Sequence, residues 1–188
     1  MRFLGILLCT AFCAIGAAAC AAPPGSDCPT AAIAVQRCET RAPGRLQVEA
    51  PSFAGAVAAR HSAYFQNEPP VVRWSAVAGA ASYALVLQDP DAPGAKPYVH
   101  WVVFDLPGEA LAWTAGAGVN GATSKSAAGG YFGPRPPGGK PHAYHLQVFA
   151  LDTRLGLPAG AKLETVLEAM QGHVLASGEV IGTFAKPQ

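Results

Sequence analysis

Five polar residues lie at the ends of apolar runs in this sequence, and four of them, Asp89, His100, His142 and Tyr144, could form one binding site. Asp89 and Asp91 follow the run YALVLQ in the segment DPDAP, and His100 opens the next apolar run. His142 and Tyr144 open a third run. Imidazole and phenol groups donate hydrogen bonds to anions, and a carboxylate fixes the tautomer of a neighbouring imidazole. If these segments meet, the residue types predict a small polar pocket for a phosphate or carboxylate group.

The same residues allow two other interpretations. Pro90 and Pro93 make DPDAP a rigid turn, so both carboxylates could simply cap that turn by accepting bonds from nearby N–H groups. Alternatively, Asp89, His100 and His142 could form a two-histidine, one-carboxylate face for a divalent metal in an enzyme. Nucleophilic catalysis has little support, because the sequence contains no G-x-S-x-G turn.

Short apolar runs separated by proline and glycine predict a mainly β fold that positions these residues. The expected strands cover residues 46–50, 83–88, 99–106, 144–151 and 179–185, and one helix is expected at 161–173. The strand at 83–88 and the strand at 99–106 are apolar on both faces, which predicts that the sheet is covered on both sides. The irregular stretch 107–141 contains aromatic residues, Arg135 and several prolines, so we expect it to line a site.

Two-residue alternation along the strands assigns faces to the polar residues. His142 and Tyr144 share a face with Leu146, whereas His145 points to the other side and is expected at the surface. In the preceding strand the same rule groups His100 with Val102, Phe104 and Leu106 on one face.

The first forty-five residues predict export and a tether. Residues 1–19 combine Arg2, a short apolar stretch and three alanines, which is typical of a signal peptide and too short to span a bilayer. The alternative is a buried N-terminal helix. Cys20 directly follows the alanines, so the chain is either acylated at Cys20 or simply secreted. Residues 20–45 are expected to be a flexible linker, in which Cys28 and Cys38 could pair, and residues 46–188 a single domain.

Composition excludes some partners. The chain has 13 basic and 12 acidic residues, so no basic face for nucleic acid is predicted. We expect membrane contact only through a lipid anchor on Cys20, which would need more than one acyl chain to be stable.

Three segments in this order carry a family resemblance: DPDAP, HWVVFDLP and GYFGPRPPGGKPHAYHLQVFALD. Together they resemble the phosphatidylethanolamine-binding protein family, in particular its bacterial, Raf kinase inhibitor-like branch, over roughly residues 46–186. The resemblance implies two packed antiparallel β-sheets, a few short helices and an anion-binding pocket at one end. It also implies a non-enzymatic protein without a cofactor, whose partner is a small anion, a phospholipid headgroup, or a kinase or protease that it inhibits. Together with the leader it implies a periplasmic or outer-membrane-anchored bacterial protein.

The family's pocket residues transfer to this chain position by position. The resemblance assigns ligand binding to Asp89, Asp91, Tyr98, His100, Gly133, Pro136, His142 and Tyr144. Two segments depart from the family pattern. Ala143 stands where the family usually has arginine between histidine and tyrosine, and Asn67 to Pro70 only partly matches the segment that precedes a tryptophan, here Trp74.

Overall fold

The computed structural model describes residue 29 and residues 31–188. The expected signal peptide at 1–19, Cys20 and Cys28 lie outside the described residues. Within the described part, no helix combines the length and the hydrophobicity that a membrane span requires.

The described chain is mainly β, as predicted. In chain order its elements are β1 (Gly44–Arg45), β2 (Val48–Glu49), β3 (Gly55–Ala56), β4 (Arg73–Trp74), β5 (Ser82–Asp89), β6 (Tyr98–Pro107), β7 (Val119–Asn120), β8 (His142–Leu151), α1 (Leu163–Met170) and β9 (Val174–Phe184). Three short 3-10 helices cover Ala34–Gln36, Cys38–Thr40 and Ala59–His61. The helix α1 is shorter than predicted at both ends, because the backbone of Lys162 is still extended and Gly172 adopts a positive φ.

Two sheets form the fold. The large sheet has the order β1-β9-β8-β5-β6-β7, with β3 pairing with β9 as well, and β2 pairs with β4 in a small sheet. The long central strands pair antiparallel, as predicted, whereas β1 and β3 run parallel to β9. Strands β8, β5 and β6 therefore lie side by side in this order. The end of β5 is next to the starts of β6 and β8, so DPDAP, His100 and His142 come together at one end of these strands.

Both faces of the large sheet are buried, which confirms the prediction from the apolar runs. On one face Leu85 and Leu146 pack in a cluster with Trp74 of the small sheet. On the other face Val86 packs in a cluster with Met170 of α1. A sheet covered on both sides explains why β5 is buried at every position.

A β-bulge sets the direction of His100. In the β5–β6 ladder Leu87 faces Trp101 and Gln88 faces Val99, so His100 is the extra residue on β6. An extra residue reverses the side on which the following side chains lie. His100 therefore turns to the side of Asp89, although regular alternation would have placed the two on opposite faces.

The sequence placed His100, Val102, Phe104 and Leu106 on one face of β6, and this prediction is wrong for the first and the last of them. Val102 and Phe104 do lie in the cluster against α1, but Leu106 belongs to the opposite cluster. A second register shift near Asp105, which has a φ of 56°, separates Phe104 from Leu106. Period-two reasoning fails here because it assumes an unbroken ladder.

The expectation of a flexible linker up to residue 45 also needs correction. The Ala34 N–H donates to Gln88 Oε1 at 2.7 Å, and the Val35 N–H donates to Gln147 Oε1 at 2.6 Å. Buried glutamines of β5 and β8 thus fix the segment that contains the first 3-10 helices to the sheet. Cys38 takes part in a disulfide bond, and its pairing with Cys28 remains a prediction.

Candidate functional site

A cavity of about 240 Å³ lies where β5 ends and where β6 and β8 begin. Five of the predicted ligand-binding residues line it: Asp89, Tyr98, His100, Pro136 and His142. The other lining residues are Ala92, Pro93, Lys125, Phe132, Arg135 and Pro137. The three sequence-distant segments therefore converge on one space, as the residue types suggested.

Asp89 is buried and both of its oxygens accept hydrogen bonds. Oδ1 accepts the backbone N–H groups of Asp91 and Ala92 at 2.9 and 3.0 Å, so this oxygen caps the DPDAP turn. Oδ2 lies 2.8 Å from His142 Nδ1. The turn-capping interpretation is thus correct for one oxygen, while the other oxygen holds an imidazole of the cavity.

His100 is held by the long loop that follows β6. Its Nδ1 lies 2.6 Å from the Phe132 carbonyl oxygen, and its ring stacks on the Phe132 ring with centroids 5.8 Å apart. Its Nε2 lies 4.0 Å from Asp89 Oδ2, too far for a hydrogen bond. Burial lowers the pKa of His100, although the Phe132 carbonyl and the Asp89 charge oppose that effect. The ring is therefore held in its neutral form at neutral pH.

The partners of Nδ1 determine the tautomer of both histidines. A carbonyl oxygen and an ionised carboxylate can only accept, so Nδ1 must carry the hydrogen in His100 and in His142. In a neutral ring Nε2 is then an acceptor, and neither Nε2 makes a hydrogen bond within residues 31–188. Both imidazoles thus offer a lone pair, and they become donors at Nε2 only when they take up a proton.

Three of the predicted ligand-binding residues do not line the cavity. Tyr144 is fully buried beneath the imidazoles, with its ring centroid 5.3 Å from that of His100. Burial, and secondarily the charge of Asp89, raise the pKa of Tyr144, but no described group makes a well-formed hydrogen bond with its hydroxyl. Asp91 is exposed and accepts the Ala143 N–H at 2.7 Å, which ties the turn to the start of β8.

Gly133, the third of these residues, shapes the loop instead of contacting a ligand. Its N–H is already bound by Asn67 Oδ1 at 2.8 Å, so it is not a free donor. A Cβ at this position would lie 1.9 Å from the His61 carbonyl oxygen, which explains the glycine. Asn67 also donates to the Tyr131 carbonyl at 3.3 Å. Its φ of 56° is a conformation that asparagine tolerates better than most residues.

Two cations that the pocket prediction did not include flank the mouth of the cavity. Lys125 Nζ lies 5.9 Å from the centroid of the Phe132 ring, and the Arg135 guanidinium lies 5.3 Å from that of Tyr64. Both cations are exposed. The sequence placed Arg135 in a stretch that was expected to line the site. Sequence reasoning missed Lys125, because nothing in a glycine- and alanine-rich loop fixes where one lysine lies.

The geometry gives no support to the metal alternative. No group of three or more His, Cys, Asp or Glu side chains in the described part of the chain is arranged to hold a metal ion. Asp89 and His142 bond directly at 2.8 Å instead of converging on a shared ion. His145 points away from the cavity, as predicted, and its Nδ1 lies 3.0 Å from Glu179 Oε2 on β9.

Comparisons with known proteins agree with this architecture. Residues 47–185 match the family model described as phosphatidylethanolamine-binding protein. A UPF0098 protein of Methanothermobacter thermautotrophicus is 38% identical over 150 residues, which are 75% of this chain and 98% of that relative. A Mycobacterium tuberculosis protein named as a lipoprotein, LppC, is 36% identical over 145 residues, which are 74% of this chain and 72% of the relative. The crystal structure of CT736 from Chlamydia trachomatis, named as a homologue of phosphatidylethanolamine-binding proteins, matches with a TM-score of 0.70 and 28% identity over 77% of this chain and 99% of that chain.

Proposed function

The chain belongs to the phosphatidylethanolamine-binding protein family, and from that premise we propose that it is a non-enzymatic binding protein whose cavity takes a phosphate group. The phosphate is either free or part of a phospholipid headgroup. The observation that carries this proposal is the composition of the cavity: two imidazoles on its floor and two cations at its mouth, Lys125 and Arg135.

The size of the cavity favours a headgroup over a whole lipid. Pockets that enclose drug-sized molecules measure roughly 300–1,000 Å³, and this cavity is smaller, at about 240 Å³. A phosphate with a short substituent is of suitable size, whereas acyl chains would remain outside.

Charge also favours an anion in spite of Asp89. Both oxygens of Asp89 already accept hydrogen bonds from the protein, which reduces the repulsion that a bound anion would meet. Lys125 and Arg135 add two positive charges near the mouth. Because both Nε2 atoms are acceptors in neutral rings, the anion binds with a proton, which is carried either by an imidazole or by the phosphate itself.

Isothermal titration of inorganic phosphate and of phosphoethanolamine tests the proposal. We expect both ligands to bind the wild type, and His142→Ala to weaken each of them about tenfold or more, as loss of a charge-assisted hydrogen bond implies. His145→Ala is the matched control, because His145 lies on the same strand but outside the cavity. Equal binding by the wild type and His142→Ala would refute the role of the cavity. Tight binding of phosphoethanolamine with no binding of phosphate would show that the headgroup, not the phosphate alone, is recognised.

We also propose that the protein is an exported lipoprotein. The segment Ala17-Ala18-Ala19-Cys20 after an apolar stretch supports acylation at Cys20. The relative from Mycobacterium tuberculosis, which is named as a lipoprotein, supports the same assignment. Inhibition of a kinase or protease remains a prediction from the family resemblance.

A further inference from the structure

A second space, which the family resemblance did not lead us to expect, adjoins the cavity. A groove of about 460 Å³ shares Pro93, Tyr98 and Lys125 with the cavity and continues from there to the start of α1. We propose that the groove is a second subsite, which binds another anionic group of a ligand whose first phosphate occupies the cavity. This inference rests on the proposed phosphate site and extends it to ligands with two anionic groups on a polar scaffold.

Hydrogen bonds between distant parts of the chain fix the walls of the groove. The Ser124 N–H donates to the Val99 carbonyl at 2.9 Å, and the Val99 N–H donates to Ser124 Oγ at 2.8 Å. On the other side the Ala122 N–H donates to the Ala161 carbonyl at 2.8 Å. The loop that carries Lys125 is thus held against both β6 and the segment before α1. A groove whose walls are fixed in this way loses little conformational entropy when a ligand binds.

Most of the charged side chains that line the groove are positive. Lys96, Lys125 and Lys162 line it, which are three of the five lysines in the whole sequence. Glu164 is its one acidic lining residue, and it is paired with Lys96 at 2.9 Å. Lys125 and Lys162 are left without a carboxylate partner among the described residues. The chain as a whole has nearly equal numbers of acidic and basic residues, so the groove is more positive than the overall composition would give.

Hydroxyl groups make a polar ligand a better occupant than an acyl chain. Ser124 Oγ accepts one hydrogen bond, from the Val99 N–H, and its own hydrogen is free to donate. Ser126 also lines the groove, and its side chain makes no hydrogen bond within residues 31–188. Hydrocarbon placed against these hydroxyls and ammonium groups would take them from water without replacing their hydrogen bonds. A phosphorylated polyol supplies those bonds.

Fructose 1,6-bisphosphate and fructose 6-phosphate are a suitable pair of probes, with inorganic phosphate as a probe of the cavity alone. We expect the bisphosphate to bind the wild type about fivefold more tightly than the monophosphate at low salt, the ratio that one favourable surface ion pair gives. Lys162→Gln should abolish this difference and leave the affinity for inorganic phosphate unchanged, because Lys162 lines the groove and not the cavity. Lys186→Gln is the control, since this exposed lysine lines neither space.

Each result separates the groove from the cavity. If inorganic phosphate binds but the two sugar phosphates have equal affinity for the wild type, the groove proposal is overturned and the phosphate cavity stands. A preference for the bisphosphate that survives Lys162→Gln overturns it as well. If inorganic phosphate does not bind at all, the phosphate cavity itself is wrong and the two-site proposal fails with it. A preference that is lost in Lys162→Gln and kept in Lys186→Gln supports the groove.

Discussion

Lowering the pH should strengthen anion binding, because both cavity histidines keep their Nδ1 hydrogens engaged by the protein. The perturbation is a change from about pH 8 to about pH 5.5, which brackets the ordinary histidine pKa of about 6.5. Sulfate is the informative ligand, because it carries no proton in this range and therefore must receive a hydrogen bond from an imidazolium. With two neutral rings, sulfate would meet the lone pairs of His100 and His142 instead.

The magnitude follows from the number of protons that bind with the anion. If the anion binds only to a protonated imidazole of ordinary histidine pKa, the affinity is about thirtyfold higher at about pH 5.5 than at about pH 8. If His100 takes the proton, the rise begins at lower pH, because burial lowers the pKa of His100. The direction is the same in either case, since a bound anion favours the charged form of the ring.

Calorimetric titration of sulfate in two buffers with different ionisation enthalpies counts the protons directly. We expect uptake of about one proton for each sulfate bound near pH 8, and of about half a proton near pH 6.5, where a ring of ordinary histidine pKa is already half protonated. His142→Gln should reduce the rise, and His145→Gln should leave it unchanged, because His145 lies outside the cavity. Thermal unfolding without ligand must accompany these titrations. The lowered pKa of His100 means that the unfolded chain binds this proton more readily, so stability falls as the pH drops below about 6.5.

A sulfate affinity that does not change with pH, together with no proton uptake, would refute the proposal that a protonated imidazole donates to the anion. It would mean that the backbone, Lys125 and Arg135 alone recognise the anion, and that the imidazoles only shape the cavity. Phosphate gives a further distinction, because it can bring its own proton. We therefore expect the affinity for phosphate at neutral pH to exceed that for sulfate.

Two other predictions concern the loop and the leader. Gly133→Ala should destabilise the protein by about 1–3 kcal/mol in denaturant titration and weaken phosphate binding, because the added Cβ would lie 1.9 Å from the His61 carbonyl oxygen. Gly130→Ala meets no atom within 4 Å and should cost only the strain of its positive φ, so equal losses for the two variants would contradict the steric explanation. Mass spectrometry of the mature N-terminus should find an acylated Cys20, and an unmodified terminus would show plain secretion.

Regular features of the site could be read from the sequence, whereas irregular ones could not. The faces of β5 and β8 follow the two-residue alternation of apolar side chains, so the common direction of His142 and Tyr144 was predictable. The bulge at His100 was not predictable, because an extra residue in one strand leaves no signal in the types of the residues around it. The carbonyl of Phe132, which fixes the tautomer of His100, comes from a loop thirty-two positions away. Composition assigned that loop to the site but gave no means of predicting which of its atoms would face His100.

The segment before β1 illustrates a different limit. Its composition suggested a linker, since alanine, proline and serine carry no periodic signal. What holds it is a pair of buried amides, Gln88 and Gln147, whose oxygens accept the backbone N–H groups of residues 34 and 35. A glutamine in a strand gives no indication of which backbone it will bind. A domain boundary predicted from composition is therefore placed too far inside the chain when single polar side chains hold the end of the domain.

The irregularities themselves are the strongest argument that the cavity has a function. Turn capping requires only Oδ1 of Asp89, which accepts two backbone N–H groups without any histidine. A regular β6 would direct residue 100 away from Asp89, and an apolar side chain at position 142 would avoid the cost of burying a polar ring. The chain instead interrupts its central ladder, buries two imidazoles and leaves both Nε2 atoms without a protein partner in the described residues. A bulge in a central ladder and buried polar rings lower the stability of the fold. Natural proteins keep such features mainly at functional sites. A ligand that brings a proton to these two nitrogens gives them the hydrogen bonds that the protein does not.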